Sequence, residues 1–380
     1  MSGIQPLLDG LSFGESLRWH QDRLWLADWG AQEVLAVDRE GQPEVMARVD
    51  FPAFPMCIDW LPDGHLLVTA ARDGRLLRQE PDGSLVTHAD LNGLAERGHP
   101  WNEIVVDGRG NAYLNNQGFD FPGGTFTPGT IALLKPDGSA RQVADGLAFP
   151  NGMAITPDNS TLIVAARDGR LLRQEPNGSL VTHADLSGLT QPGHPWNEIV
   201  VDGRGNAYLS NQGFDFPGGT FAPGTIALLK PDGPARPVAD GLAFPNGMAI
   251  TPDNATLIVA ESYGQKLTAF QIAADGSLSR PRVWADLGDG VPDGICLDAE
   301  GAIWYADVPN KQCVRVREGG QVLQTIQLDR GCFSCALGGT NRTTLFMVAT
   351  PWRGIERMTD TSRTSQLLTT QAPAAGAGWP

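Results

Sequence analysis

Long hydrophobic runs are missing from this chain of 380 residues. No apolar stretch approaches the roughly 18 residues that a membrane-spanning helix needs, and the opening MSGIQPLLDG lacks the basic and apolar parts of a secretory signal. Basic residues are also scarce, because 28 Lys and Arg stand against 43 Asp and Glu, a formal net charge of −15. This acidic excess argues against nucleic acid or an anionic membrane as partner and equally suits plain solubility.

Cysteines are few and odd in number, five in all. An odd count is typical of reduced thiols and predicts a cytoplasmic location. Cys332 and Cys335 form a CxxC pair, but no second pair or nearby histidine accompanies it, so strand packing is favoured over zinc or redox chemistry. GxSxG, HExxH and glycine-rich phosphate-binding motifs are absent as well.

What the sequence does contain is a nearly identical internal repeat. Residues 71–165 return as 166–260, and from Arg72 to Ala165 only ten positions differ from their counterparts. Periods of roughly 40–50 residues are typical of propeller blades, so a repeat of about 95 residues predicts a pair of blades. Removal of one copy would leave about 285 residues, enough for six blades. The sequence therefore predicts a propeller lengthened by two blades.

Short strands bounded by Asp-Gly, Asn-Gly and Pro-Asp turns run through the chain, and no segment keeps a helical period beyond two turns. The predicted blades lie near 12–50, 56–91, 102–146, 151–186, 197–241, 246–286, 293–329 and 333–370. We expect an all-β fold, one eight-bladed β-propeller domain over 1–371, with a tail at 372–380 that lies along the surface or is disordered. An unclosed ring or a strand-swapped dimer is the alternative to a monomeric closed ring.

Each predicted blade begins with a short motif leading into its innermost strand, which in a propeller opens onto the central channel. The residues at equivalent positions of these leading motifs are Glu15, Met56, Asn102, Asn151, Asn197, Asn246, Asp293 and Phe333. The carboxylates and amides among them are oxygen donors, which suit a hard divalent cation such as calcium or magnesium. The alternative is that each Asn or Asp bonds its own backbone in a tight turn.

In order along the chain, FGESLRW, HPWNEIVVDGRGNAYL, LAFPNGMAITPDN, VPDGICLDAEGAIWYAD and SCALGG resemble the regucalcin, gluconolactonase and luciferin-regenerating enzyme family of six-bladed propellers. The resemblance extends from about Glu15 to the last blade. It implies a divalent metal held by the Glu of the first motif, the Asn of PNG and the Asp of PDG. In this chain those residues are Glu15, Asn246 or Asn151, and Asp293.

The repeated Asn motifs leave a choice of ligand. Asn246, Asp293 and Glu15 keep the three consecutive blade steps that a six-bladed relative would have, so Asn246 is the predicted ligand. We expect calcium, with magnesium, zinc and manganese as alternatives. Many relatives carry Arg two positions before the Asn of the WNE motif, whereas this chain has Pro100 and Pro195.

The resemblance also implies that the Asn of the WNE motif contacts the substrate. The predicted substrate-binding residues are Asn102, Asn151, Asn197 and His194. His194 could serve as an acid or base, with a hydrogen-bonded loop histidine as the alternative. The segment GFDFPGGTF, at 118–126 and at 213–221, is long enough to cover the channel mouth, with a packed surface loop as the alternative.

These features predict a metal-dependent hydrolase of lactones or related esters. The cation would polarise the ester carbonyl, and Asp293 would act as general base toward the attacking water. The partner would be a small-molecule lactone or ester. Because a wider ring could weaken catalysis, a non-catalytic propeller scaffold or binding protein, natural or constructed by recombination of a six-bladed parent, is the alternative.

Overall fold

The computed structural model describes residues 5–378 with internal gaps. Outside the description are residues 1–4, 13, 39–40, 51–54, 71, 97, 120–123, 149, 156–161, 167–169, 175–179, 187, 190–193, 195, 217–218, 231–232, 354–363 and 379–380. Within the described residues every regular element is a β-strand, and no helix is long and apolar enough to cross a membrane. The expected all-β fold is confirmed.

The strands form eight four-stranded sheets in which consecutive strands pair antiparallel. The first four sheets are sheet 1 (β2 Gly14–His20, β3 Arg23–Asp28, β4 Glu33–Val37, β5 Pro43–Arg48), sheet 2 (β6 Ile58–Trp60, β7 Leu66–Ala70, β8 Arg75–Gln79, β9 Leu85–Asp90), sheet 3 (β10 Trp101–Val106, β11 Ala112–Asn116, β12 Gly129–Leu134, β13 Ala140–Leu147) and sheet 4 (β14 Pro150–Ile155, β15 Leu162–Ala166, β16 Arg170–Gln174, β17 Leu180–Asp185).

The last four sheets repeat this plan. They are sheet 5 (β18 Trp196–Val201, β19 Ala207–Asn211, β20 Gly224–Leu229, β21 Arg236–Leu242), sheet 6 (β22 Pro245–Ile250, β23 Thr256–Glu261, β24 Lys266–Ile272, β25 Leu278–Asp286), sheet 7 (β26 Pro292–Leu297, β27 Ile303–Asp307, β28 Gln312–Val316, β29 Val322–Gln327) and sheet 8 (β30 Gly331–Gly338, β31 Thr344–Thr350, β32 Ser365–Gln371, with β1 Gln5–Leu11). Every sheet matches one predicted blade to within about two residues at each end. The N-terminal strand β1 lies beside β32, the last strand of the chain.

The sheets belong to two compact units. The N-terminal unit, Gly10–Asp185, contains sheets 1–4, and the C-terminal unit, Leu186–Met358 with the two ends of the chain, contains sheets 5–8. The boundary follows β17, so the second copy of the repeat contributes strands to both units. One closed propeller domain over 1–371 remains a prediction.

Asp-Gly-Ser turns join the third and fourth strands of several sheets. In sheet 6 the Asp275 carboxylate accepts a hydrogen bond from the backbone N–H of Ser277 at 2.9 Å, and Gly276 between them has a φ of +83°. Such a left-handed φ favours glycine, and the Asp side chain closes the turn on its own backbone. Sheets 2 and 3 carry the same turn with the same 2.9 Å bond. The sequence predicts these hairpins correctly because the turn chemistry is local.

The hydrophobic core of each unit lies between neighbouring sheets. In the C-terminal unit, Ile258 of β23 and Ala269 of β24 share a buried cluster with Ile303 of β27 and Val314 of β28. In the N-terminal unit, β3 and β4 pack in the same way against β6 and β7. Because both faces of sheet 7 are covered by apolar clusters, its strand IWYAD is buried at every residue rather than at alternate ones.

The cysteines belong to this core. Cys332 and Cys335 lie on β30 in one apolar cluster with Cys296 and Cys313, and the Cys296 and Cys335 sulfurs are 4.0 Å apart. All five cysteines are free thiols, and burial raises the pKa of Cys313 well above its usual range. The interpretation of the CxxC as strand packing is confirmed.

The described part of the C-terminal tail is ordered against sheet 7. The Ala377 N–H donates to the Leu297 carbonyl at 2.9 Å, and the Ala299 N–H donates to the Ala375 carbonyl at 2.7 Å. Ala374 is buried. This described part of the tail therefore lies along sheet 7.

A β-bulge recurs at the start of the first strand in most sheets. In β26 the register passes from Pro292↔Asp307 to Ile295↔Tyr305, so three steps on one strand match two on the other. The same extra residue occurs in β18 and β22 of the C-terminal unit. A bulge bends the strand and re-aims its side chains. Here the bulge falls on the leading motifs, so Asn197, Asn246 and Asp293 each lie within the bulge of their strand.

Candidate functional site

Two glycines set how closely the first strands of the C-terminal unit approach one another. A Cβ atom on Gly247 would lie 2.5 Å from the Asp293 carbonyl oxygen, and one on Gly294 would lie 3.1 Å from the Ser334 Cα. Real Cβ atoms do not come as close to backbone as 2.5 Å, so glycine is required after Asn246, whereas a side chain at Gly294 would make a tight contact that β30 has to accommodate. The PNG and PDG motifs thus allow β22, β26 and β30 to pack closely, so that the polar side chains of these motifs lie near one another.

The side-chain amides at the start of these strands are linked by hydrogen bonds. The Asn197 Nδ2 donates to the Asn246 Oδ1 at 2.9 Å, and the Asn246 Nδ2 donates to the Ser262 Oγ at 3.3 Å. Ser262 in turn donates to the Pro292 carbonyl at 2.6 Å. This chain of bonds joins sheets 5, 6 and 7 through side chains and fixes the orientation of both amides.

Asp293 lies beside these amides in a site that disfavours its charge. Desolvation raises the pKa of Asp293 to about 7, and the Glu198 carboxylate contributes in the same direction. A hydrogen bond with the Asn246 side chain acts against this rise. Desolvation also raises the pKa of Glu198 itself. The C-terminal unit therefore holds two carboxyl groups whose negative charge the surrounding protein compensates poorly.

A cavity of about 880 Å³ opens in front of Asn197, Asn246 and Asp293. Its polar lining includes Ser262 and Gln212. The start of a first strand and the end of its antiparallel second strand lie at the same end of a sheet. Sheets 5–8 each supply residues to the cavity from this end. The cavity is therefore assembled from four sheets of one unit, at the end where the leading motifs lie.

Aromatic rings form two walls of this cavity. Phe244 and Tyr263 stack with centroids 4.9 Å apart and an interplanar angle of 16°. Phe216 meets Phe244 edge to face at 5.1 Å. The second wall comes from sheet 8, where the ring centroids of Phe333 and Trp352 are 5.9 Å apart. The segment 213–221 thus lines the cavity through Phe216, which supports the covering-loop alternative for this copy.

Sequence reasoning missed Ser262 and Tyr263. A signal was present, because the two copies of the repeat end at Ala165 and Ala260 and the following residues differ. Where sheet 4 continues with Ala166, the corresponding position in sheet 6 is Glu261, followed by Ser262. Trp352 carries no such signal, since nothing local to its sequence shows that it faces the cavity.

The N-terminal unit embeds the first copy of the motif differently. Asn102 on β10 is only 4% exposed, and Glu103 pairs with Arg18 of β2 at 2.9 Å. Burial raises the pKa of Glu103, and the Arg18 guanidinium opposes the rise. Glu15, also on β2, is reached by solvent, yet desolvation by the surrounding protein raises its pKa and Glu103 adds to this effect.

The structure thus brings together three of the predicted site residues, Asn197, Asn246 and Asp293. Glu15 and Asn102 belong to the N-terminal unit. The side chain of Asn151 lies outside the described residues. His194 accepts a hydrogen bond from the Asn211 Nδ2 through its backbone carbonyl at 2.9 Å, and the cavity lining does not include it.

The oxygen donors of the C-terminal unit fit a hard cation. Asp293 offers a carboxylate, Asn246 an amide oxygen and Ser262 a hydroxyl, the donor types that calcium and magnesium take in proteins. Among the described residues no three His, Cys, Asp or Glu side chains form a group that could hold a metal. A metal here would therefore need the amide as well as Asp293. The desolvated Asp293 carboxylate fits such a role, because a cation would supply the missing positive charge.

Residues 13–166 and 159–350 match the family described as the SMP-30/Gluconolactonase/LRE-like region. The chain belongs to this family. Its curated relatives include regucalcin from Xenopus laevis, 30% identical over 132 residues that cover 33% of this chain and 44% of regucalcin. The 6-deoxy-6-sulfogluconolactonase of Pseudomonas putida is 27% identical over 186 residues, which cover 45% of this chain and 64% of that protein. The matched segments span about half the length of these relatives.

Solved structures share the fold at low sequence identity. A luciferin-regenerating enzyme aligns with a TM-score of 0.52 and 15% identity, covering 100% of this chain and 97% of that one. Virginiamycin B lyase from Staphylococcus aureus aligns with a TM-score of 0.50 and 12% identity, covering 97% and 99%. These likenesses, with the four-stranded antiparallel sheets, show an all-β fold of the β-propeller type.

Proposed function

We propose that this member of the family hydrolyses lactones or related esters with the help of a divalent metal ion, calcium in the first instance. The observation that carries the proposal is the meeting of Asn197, Asn246 and Asp293 in one cavity of the C-terminal unit. Two amides and one carboxylate can bind a cation and an ester group side by side. The gluconolactonase and pentonolactonase names among the relatives agree in reaction type.

Each residue would have a distinct role. Asn246 and Asp293 would hold the metal, with Glu15 as the third ligand, and a bound divalent cation polarises an ester carbonyl. Asn197, held in place by its bond to Asn246, would orient the substrate through the remaining capacity of its amide. Asp293 would accept the proton of the attacking water as general base.

The proposal includes the closure of all eight sheets into one propeller ring. Glu15 lies on β2 of sheet 1 and Asp293 on β26 of sheet 7. A metal site shared by these two residues requires that their sheets face one channel. The proposal also keeps Asn102, Asn151 and His194 as substrate contacts on the remaining part of that channel, and it treats the protein as a monomer.

The test is a lactone hydrolysis assay on the chelator-stripped full chain, read from proton release with a pH indicator. We expect hydrolysis above the spontaneous rate only after calcium or another divalent ion is returned. Asp293→Ala should abolish both the activity and calcium binding measured by titration calorimetry. Asp289→Ala is the matched control, because Asp289 is an exposed carboxylate in the loop before β26. Hydrolysis that persists in the chelated protein would contradict the proposal.

A further inference from the structure

The walls of the cavity in the C-terminal unit expose aromatic rings to solvent. Phe216 is 36% exposed, Tyr263 51% and Trp352 49%, and all three line the same cavity. Large apolar side chains that are exposed together in a concave site mark ligand-binding surfaces rather than ordinary protein surface. The rings are therefore available to a ligand.

These rings are held in position before any ligand arrives. Phe214, which is 3% exposed, packs behind the stacked pair at 5.6 Å from Phe244 and 5.7 Å from Tyr263. Phe333 and Trp352 support each other on the side of sheet 8. A preformed aromatic wall lowers the ordering cost of binding a flat apolar group. Offset and edge-to-face contacts with such a group would add to its affinity.

Several polar side chains of the cavity are engaged with one another. Asn197, Asn246 and Ser262 form the hydrogen-bond chain described above. Arg330 holds both oxygens of Asp329, at 2.7 and 2.6 Å, and also donates to the Thr364 carbonyl. A polyhydroxylated ligand needs many free donors and acceptors, and a hydroxyl buried without a partner is costly. Gln212 and Lys311 also line the cavity, but most of its lining surface is apolar, which favours an apolar ligand body over a ring of hydroxyls.

The size of the cavity agrees with a substituted ring. About 880 Å³ is near the upper end of the range for pockets that take drug-sized ligands. A small sugar lactone would leave the aromatic walls facing water. We propose that this cavity selects lactones or esters whose body is aromatic or apolar over polyhydroxylated lactones. The reaction in this proposal rests on the proposed function, but the binding preference does not.

The test measures binding with lactams, in which an N–H replaces the ring oxygen so that hydrolysis plays no part. The probes are 3,4-dihydroquinolin-2-one, with an aromatic body, and gluconolactam, with a polyhydroxylated one, titrated by calorimetry into the full chain with calcium. We expect the aromatic lactam to bind at least about tenfold more tightly. Trp352→Ser and Tyr263→Ser should each weaken it by roughly three- to tenfold. Trp19→Ser is the matched control, because Trp19 is 57% exposed and lies on β2.

Hydrolysis rates separate this inference from the proposed function. The ratio of kcat/KM for dihydrocoumarin to that for glucono-δ-lactone should exceed about ten and should fall in both wall variants. If neither lactone is hydrolysed but the aromatic lactam binds through the walls, the inference stands and the proposed function fails. Tighter binding of gluconolactam by the wild-type chain would overturn the inference whatever the variants do. So would wall variants, shown to be folded by melting curves, that bind the aromatic lactam as tightly as the wild type.

Discussion

Replacement of Asp293 by asparagine should stabilise the metal-free protein and remove its response to calcium. The wild-type carboxyl has its pKa raised from 3.8 to about 7, chiefly by desolvation. Asparagine has nearly the same shape and carries no charge, so it relieves the cost of burying the carboxylate. The same change removes the charged oxygen that a cation would bind. Stability and metal binding should therefore move in opposite directions.

The sign of the effect follows from proton linkage. Between pH 4 and 7 the folded chain keeps a proton on Asp293 that the unfolded chain has already lost, so the stability of the folded state falls as pH rises through this range. Above the folded pKa both states are ionised and the loss is constant. The stability difference between Asp293→Asn and the wild type should accordingly grow from near zero at pH about 4 to a plateau above pH about 7.

The magnitude is bounded by the size of the shift. A rise of roughly three pKa units at about 1.4 kcal/mol each gives an upper limit of about 4 kcal/mol. The Asp293 side chain is only half-buried, so solvent screening reduces the expected gain to ~1–2 kcal/mol. Calcium at about one hundred times its dissociation constant should stabilise the wild type by about 2.7 kcal/mol and the variant by nothing.

Urea unfolding in the presence of chelator, at pH 4.5 and pH 8, measures the first effect, and repetition with calcium measures the second. Asp289→Asn serves as control, since its side chain is exposed and its stability should follow the wild type at both pH values. Equal stability of Asp293→Asn and the wild type at pH 8 would refute the desolvation argument. Calcium stabilisation of the variant as large as that of the wild type would place the ion elsewhere.

Three further changes test the packing and the ring. In the proposed ring, a chain lacking 166–260 should fold and hydrolyse lactones faster than the full chain. The reason is that a misplacement of the reacting groups by about 1 Å can lower the rate about 10²-fold. Kinetics and melting curves of the two chains test this, and equal rates would contradict it. Gly247→Ala, whose Cβ would lie 2.5 Å from the Asp293 carbonyl oxygen, should cost about 1–3 kcal/mol in urea unfolding and weaken calcium binding. Arg315→Met, which leaves the buried Asp298 partner uncompensated, should cost about 3–5 kcal/mol, whereas Arg282→Met at an exposed pair should cost under about 1 kcal/mol.

The sheets and their turns could be predicted from the sequence because their causes are local. An Asp-Gly-Ser turn such as 275–277 needs only a glycine with positive φ and a carboxylate two residues before an N–H. Runs of Val, Ile, Leu and aromatic residues between such turns define the strands. The proximity of Asn246 and Asp293 was also predictable, since they occupy equivalent positions in the leading motifs of successive sheets.

The walls of the cavity could not be predicted in the same way. Tyr263 and Trp352 lie in loops that follow second strands, and their sequence neighbourhoods carry no period or motif that points to a ligand. They meet the leading motifs only because antiparallel pairing returns each second strand to the end where its first strand began. A contact made in this way depends on strand lengths in four sheets.

The two copies of WNEIVV show where local sequence stops determining structure. The identical sequences form equivalent strands, β10 and β18, with the same bulge in the same register. Yet Asn102 is 4% exposed whereas Asn197 is exposed and lines the cavity, and Ile104 is fully buried whereas Ile199 is 41% exposed. The sequence by itself determined the strands, the turns and the candidate oxygen donors, because hydrogen bonding and φ preferences act over a few residues. Only the tertiary structure decided which Asn lines the cavity, because burial depends on the surfaces that other sheets bring to each strand.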